Sequence, residues 1–417
     1  MYLNRLQIQH FRSLYQVELE LKPLTILIGP NAGGKSNLFK ALRFLHDAIA
    51  GDRLEWQAYD NQIDHLLWYG MDEYGNRPET VAFTCEFGSR GRPLGRYQAT
   101  LRCKDYIRVK MEELAVALPQ RQDLAAYFRR HDERIWEYID QQGTPVEQPS
   151  SSKASSARTL TLREAGPDLQ LPQAQALYRH IAGWRFFYVL PHYARQESFI
   201  PQYPEEVPPL ANDGSNLSAF LYALGRLRPD DFDTIAGLLS EFIELPDKLL
   251  VEHDAERGGQ NARYSFIETP FGEARPVPPQ SISDGTIRLL AYLALLLGDR
   301  SVSLACLEEP DQGLHPRLML YLADILRQAV TFPQNEEAFP ASSDGNGGNF
   351  TPQILLTTHS PEFMDCFDLK EEQDYLQVYI VERDELGRTV FIPTTAEEFA
   401  PWLEKYRLGE AVRRRFV

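Results

Sequence analysis

The sequence predicts an α/β fold, and three stretches carry that expectation. Residues 24–36, LTILIGPNAGGKS, read as a strand that runs into a glycine-rich loop and then a helix. Residues 304–311, LACLEEPD, read as an apolar strand ending in carboxylates. Residues 354–359, ILLTTH, read as another short apolar strand, this one ending in a histidine. Strands of this kind interleaved with helical stretches are the pattern of α/β domains.

The first stretch contains Gly29-Pro30-Asn31-Ala32-Gly33-Gly34-Lys35-Ser36, a full G-x-x-x-x-G-K-S phosphate-binding loop. Leu24, Ile26, Leu27 and Ile28 supply the strand before it. Leu38, Leu42, Leu45 and Ile49 supply one face of the helix after it. Glycines at 29, 33 and 34 allow backbone conformations that other residues resist. Loop N–H groups and the helix N-terminus then favour a phosphate. Lys35 is expected to reach the β- and γ-phosphates, and the Ser36 hydroxyl to ligate Mg²⁺. The expectation is a P-loop NTPase fold that uses ATP and Mg²⁺.

A chain of 417 residues has room for two or three compact units. At 43% hydrophobic it has a globular composition, and its net charge of −16 argues against nucleic-acid binding by overall basicity. The four cysteines form no C-x-x-C, so a zinc site or zinc hook is not expected and a reducing cytoplasm fits. MYLNRLQIQHFRSL has no signal-peptide core. The run Leu289–Leu297 falls short of the roughly 18 apolar residues a membrane span needs and reads as a buried helix. A soluble cytoplasmic protein is expected.

Along the chain, Leu3, Leu6 and Ile8, then Val17, Leu19 and Leu21, alternate with polar residues as a strand pair. Residues 81–87 and 97–102 read as strands about a turn at 88–95. The segment 111–255 reads as a mainly helical insertion, broken at 141–157 (QQGTPVEQPSSSKASSA) by an expected mobile loop. It shows no heptad repeat, so long coiled-coil arms are not expected. Residues 287–297 read as a helix, 302–307 as a strand, 314–331 as a helix and 333–351 as a second mobile loop. Residues 378–381 and 389–392 read as a hairpin turning at Gly387. The end reads as a helix carrying Arg413, Arg414 and Arg415. The expected organisation is therefore an ATPase head in two pieces, 1–110 and 256–417, around the insertion 111–255.

Carboxylates at the end of an apolar strand are delivered rigidly to one edge of a sheet. Glu308 would face magnesium through a water, and Glu309 would orient or deprotonate the attacking water. Read without the upstream loop, the same strand could equally carry solvated acids.

Four motifs in order, at 29–36, SISDGT at 281–286, LEEPDQGLHP at 307–316 and LLTTHSPEF at 355–363, resemble the ABC-type ATPase heads of the RecF/SMC and OLD-like class, often labelled predicted AAA-family ATPases. The resemblance covers both ends of the chain and is weak between about 90 and 270. It implies an ABC-ATPase-like head, a homodimer that sandwiches ATP, and hydrolysis. Ser283, Asp284 and Gly285 resemble the signature motif that contacts the γ-phosphate held by the opposite subunit, and they also suit a plain helix cap. His359 resembles the switch histidine. Asp311–His315 occupies the D-loop position. Asn37 completes the nucleotide-facing set. Arg12 in FRS resembles residues that approach the nucleotide, with a surface arginine as the other reading. Gln62 is a weak candidate for the glutamine loop. Glu308 stands where many relatives have aspartate.

Three functions remain in play. The first is an ATPase of DNA repair, recombination or anti-phage defence, with DNA as the candidate partner; the basic stretches 92–110, 121–134 and 413–415 read either as DNA contacts or as solvated faces. The second is an ATP-gated scaffold that holds or releases an effector protein such as a nuclease or toxin. The third is a transporter subunit, against which SDGT in place of a glycine-rich signature argues. Some OLD-like relatives carry a TOPRIM nuclease domain; too few residues follow His359 here for one to be expected.

Overall fold

The structure, a computed structural model, describes residues 1–51, 59–71, 75–89, 92–117, 124–132, 134–139, 145–146, 158–165, 172–242, 248–254, 260–269, 273–331, 352–397 and 407–415. The expected loop at 333–351 lies outside the described residues, and that at 141–157 lies outside them except for 145–146.

The strands are β1 (Tyr2–Phe11), β2 (Leu14–Glu20), β3 (Leu24–Ile28), β4 (Thr80–Ser89), β5 (Arg92–Cys103), β6 (Ile107–Ala117), β7 (Leu124–His131), β8 (Arg134–Ile139), β9 (Pro145–Val146), β10 (Trp184–Phe187), β11 (Ser198–Phe199), β12 (Lys248–His253), β13 (Asn261–Glu268), β14 (Arg275–Val277), β15 (Leu304–Glu308), β16 (Gln353–Thr358), β17 (Leu376–Arg383) and β18 (Thr389–Thr394). The helices are α1 (Lys35–Ile49), α2 (Ile63–Leu66), α3 (Thr161–Ala165), α4 (Pro172–Ala182), α5 (Pro191–Ala194), α6 (Leu217–Leu227), α7 (Pro229–Phe242), α8 (Asp284–Leu293), α9 (Pro316–Thr331), α10 (Pro361–Met364) and α11 (Leu408–Arg415). Among the described residues the longest helix is the 16-residue α9, too short for a coiled-coil arm. No helix among them is long and apolar enough to cross a membrane.

The chain divides into two compact units. The first takes the described residues within 1–184 and 374–395; the second takes those within 185–336, 344–373 and 396–417. The division does not follow the expected boundaries at 110 and 255. Pairing of β17 with β3 brings residues 376–380 back to the start of the chain.

The first unit contains an antiparallel sheet in the order β2-β1-β4-β5-β6-β7-β8-β9. Its inward side chains meet α1, whose expected face, Leu38, Leu42, Leu45 and Ile49, is buried. Phe11, Phe44 and Phe83 form the aromatic centre, with Phe44 and Phe83 stacked 5.9 Å apart. The Arg163 guanidinium closes the far end of α1 by donating to the carbonyls of Asp47 (2.7 Å) and Gly51 (2.6 Å), where a helix C-terminus favours a cation. In the same unit β3 pairs in parallel with β17, and β17 pairs antiparallel with β18.

Strands at 111–146 correct the mainly helical reading of the insertion; helices dominate only from 161 to 242. Two features hid the strands. The register of β6 shifts by one residue past Val109, so the buried positions pass from Ile107 and Val109 to Glu112, Leu114 and Val116. One of those inward positions is a carboxylate. Glu112 is fully buried and accepts bonds from Tyr97 Oη (2.8 Å) and from the Thr161 and Leu162 amides (2.6 and 3.0 Å), with Arg130 4.0 Å away. Burial raises its pKa. Period-2 alternation interrupted by a bulge and a charge does not read as a strand.

In the second unit β15 and β16 pair in parallel and are buried along almost their whole length, with apolar centres (Leu304–Leu307 and Ile354–Leu356), as strands covered on both faces are. β10 lies beside β15. A smaller antiparallel group, β11-β13-β12 with β14 on β13, packs against α6. The expected helix at 287–297 is α8, continued by a π-helical turn at Ala294–Gly298.

Candidate functional site

Phosphate-loop residues lie where the sequence places them, between β3 and α1 in the first unit. The glycine requirement is more specific than conformational freedom alone. Only Gly34 has a positive φ, +107°. A Cβ on Gly29 would lie 2.1 Å from the Val381 carbonyl oxygen, and one on Gly33 would lie 2.9 Å from it. Close approach of β17 therefore excludes side chains at 29 and 33. The other left-handed position in the loop belongs to Ala32, φ +66°, which the sequence did not single out.

The Lys35 ammonium folds into the loop, donating to the carbonyls of Gly29 (2.6 Å) and Pro30 (2.9 Å). No side chain caps α1 through Gly34, and the first turn carries no acid, so nothing there competes with an anion for the helix N-terminus. Ser36 and Asn37 are half-buried, while Pro30, Asn31 and Ala32 are exposed at the tip.

Several residues that brace this loop were not found from sequence. The Thr389 hydroxyl donates to the Gly33 carbonyl (3.3 Å) and is 2.6 Å from Ser13 Oγ. Asn37 donates to the same Ser13 oxygen (2.7 Å). Arg383 Nε donates to the Ala32 carbonyl (3.0 Å). Loop, β1–β2 turn and β17–β18 hairpin are thus tied together. Arg12 lies in that turn at φ +50°, and its Nε is buried with no hydrogen-bond partner among the described residues. Gln62, itself exposed, ends a 3₁₀ turn.

The remaining candidates belong to the second unit. Ser283 is the N-cap of α8: its Oγ accepts from the Thr286 amide (3.1 Å) and lies 2.8 Å from Thr286 Oγ1. Asp284 pairs with Arg195 (2.6 Å), and Gly285 is buried against Leu314 and Leu318.

Glu308 closes β15. Glu309 follows in a left-handed conformation, φ +46°, which is costly for a residue with a long side chain and marks a held geometry. Its amide donates to the Thr357 carbonyl (3.0 Å). Its carboxylate lies 3.2 Å from His359 Nδ1, both side chains being part-exposed. Behind them Asp311, 2% exposed, accepts from the Thr358 hydroxyl (2.9 Å). Burial pushes the Asp311 carboxyl up to about 6, only partly opposed by that hydroxyl. His315 is exposed ahead of α9.

Among the described residues no group of three His, Cys, Asp or Glu side chains is placed to hold a metal ion by itself. Ser36 in the first unit carries a hydroxyl and Glu308 in the second a carboxylate, each a hard oxygen donor of the kind Mg²⁺ takes.

A family model described as "AAA domain, putative AbiEii toxin, Type IV TA system" matches residues 24–365. An OLD nuclease of Thermus scotoductus is 42% identical over 50 residues, which is 12% of this chain and only 9% of that protein's length. Among solved structures, the SMC head bound to the C-winged helix domain of ScpA aligns with a TM-score of 0.50 at 11% identity, over 96% of this chain and 100% of that one. The SMC head domain from Thermotoga maritima aligns at 0.44 and 12%, over 94% and 99%. The first structural likeness supports the expected ABC-ATPase-like P-loop fold.

Proposed function

The chain belongs to the family described as AAA domain, putative AbiEii toxin, Type IV TA system, and from that premise we propose that it binds ATP with Mg²⁺ and hydrolyses it slowly as a homodimer closed around the nucleotide. It is an ATPase of the AAA/SMC-like class. The observation that carries hydrolysis is Glu309, a strand-end carboxylate held at φ +46° and 3.2 Å from His359.

In this reading Gly29–Asn37 hold the phosphates through the loop amides and the α1 N-terminus, and Lys35 exchanges its loop carbonyls for phosphate oxygens. Ser36 would hold Mg²⁺ directly and Glu308 through a water, and the ion would supply positive charge beside the phosphates. Glu309 takes or orients the proton of the attacking water, and His359 donates to the γ-phosphate. Ser283, Asp284 and Gly285 serve the nucleotide of the second subunit through the Ser283 hydroxyl and the main-chain N-terminus of α8, and Arg12 approaches the nucleotide from the β1–β2 turn. The biological setting we propose is DNA repair, recombination or anti-phage defence.

A second reading, an ATP-gated scaffold for an effector, draws on the toxin named in the family description and on the nuclease named among the relatives. ATP turnover of the wild type, Lys35→Ala and Glu309→Gln, with and without DNA, tests these proposals. Turnover that survives Lys35→Ala would sink the site. A Glu309→Gln chain that stays monomeric in ATP would sink the dimer. DNA-stimulated turnover favours the first setting, and a stoichiometric protein retained by Glu309→Gln in ATP favours the second.

A further inference from the structure

We propose that Arg195 is a positioning residue for the signature turn, holding its main chain and offsetting the Asp284 charge so that the N-terminus of α8 accepts a phosphate oxyanion. This rests on the ATPase reading above.

Arg195 directly follows α5, 84 positions or more before the residues it holds. Its Nε donates to the Pro279 carbonyl (2.9 Å). Its Nη2 donates to the Ile282 carbonyl (2.7 Å) and to Asp284 Oδ1 (2.6 Å). The Arg195 carbonyl in turn accepts from Gln280 Nε2 (3.3 Å). One side chain and one carbonyl thus span 279–284. The Arg195 side chain is 15% exposed, whereas that of Asp284 is 68% exposed. The arginine is built into the fold, and the carboxylate faces solvent.

Two physical consequences follow. The Ile282 carbonyl adjoins Ser283, so fixing it helps set the extended backbone (φ −62°, ψ 150°) with which Ser283 caps α8. A guanidinium suits this task because its fork of N–H groups serves several acceptors at once, whereas an ammonium is a point charge on a flexible stem. The second consequence is electrostatic. An acid in the first turn stabilises a helix but repels a phosphate that seeks the same amides. Pairing with Arg195 offsets that repulsion without removing the acid.

The test compares Arg195→Gln, Arg195→Lys and the double variant Arg195→Gln/Asp284→Asn in the full chain. ATP turnover, ATP binding and amide hydrogen exchange over 281–286 are read together. For Arg195→Gln a fall in kcat of about tenfold or more is expected, since small misplacements of a positioning group are costly. Its ATP affinity, set by the phosphate loop, should stay near the wild-type value. Amides over 282–286 should exchange faster. Arg195→Lys should recover part of kcat, and adding Asp284→Asn to Arg195→Gln should raise it by lifting the repulsion. Wild-type kcat with unchanged exchange in Arg195→Gln would overturn the proposal, as would a double variant no faster than the single one. A wild-type protein without ATP turnover would instead overturn the ATPase reading; the exchange of 282–286 then decides the role of Arg195 by itself.

Discussion

The Glu309 carboxylate lies 3.2 Å from His359 Nδ1. The two meet because β15 and β16 run parallel, with Glu308 beside Thr357, and because the left-handed turn at Glu309 carries the chain across the strand ends. A carboxylate and an imidazole are thereby held together at the C-terminal ends of β15 and β16.

Replacing Glu309 by glutamine keeps the shape and removes the basicity. Turnover should fall by about 10²–10⁴, the usual contribution of a positioned general base, while ATP affinity is kept. Single-turnover kinetics beside equilibrium binding check this. A variant that hydrolyses ATP at the wild-type rate would show that Glu309 is not the base.

Loss of His359 should be felt only with a γ-phosphate present. His359→Ala should weaken ATP binding and lower kcat by roughly 10²-fold, as removing one transition-state donor does, yet leave ADP affinity unchanged. Equal loss for ATP and ADP would instead point to collapse of the strand end.

Substitutions of the loop glycines should differ in whether they can be relieved. In Gly34→Ala the new Cβ would lie 1.9 Å from Thr389 Oγ1, in a backbone at φ +107°. The conformational cost is about 1–2 kcal/mol, and crowding adds about 1–3 kcal/mol. Adding Thr389→Ala should recover part of the crowding only. In Gly29→Ala the clash is with the Val381 main-chain oxygen at 2.1 Å, which no side-chain change removes. Thermal melts of the four chains should rank Gly29→Ala below the Gly34→Ala/Thr389→Ala double variant.

Asp311 gives a pH dependence whose sign is opposite to that of a salt-bridged acid. Its pKa is raised by burial to about 6 in the fold from an ordinary 3.8. The folded state therefore binds more protons than the unfolded state between those values. Stability from this group falls as pH rises through that window and stays low above it. The full effect is on the order of 3 kcal/mol. Asp311→Asn should match the wild type near pH 4 and exceed it in urea midpoint at pH 8. A wild type that gains on the variant as pH rises would refute the burial account.

Much of the fold could be read locally. The strand–loop–helix at 24–49, the hairpin about Gly387 and the Ser283 cap all depend on spacings of a few residues, and the structure contains each of them. The strands at 107–146 were missed because a bulge and the buried Glu112 break the alternation that would announce them. At the candidate site the residue types were legible, but their supports were not.

By itself the sequence determined which chemistry is present: a phosphate loop, paired strand-end acids, a strand-end histidine and a helix-capping serine. Tertiary structure alone decided that Gly29 must lack a side chain because Val381 passes over it, that Ser13 and Thr389, 376 positions apart, brace the loop, and that Arg195 holds the turn at 279–284. The physical reason is range. Helix faces, caps and strand alternation are set by neighbours along the chain, whereas close approach, burial and side-chain bracing are set by whichever distant segment the fold brings alongside.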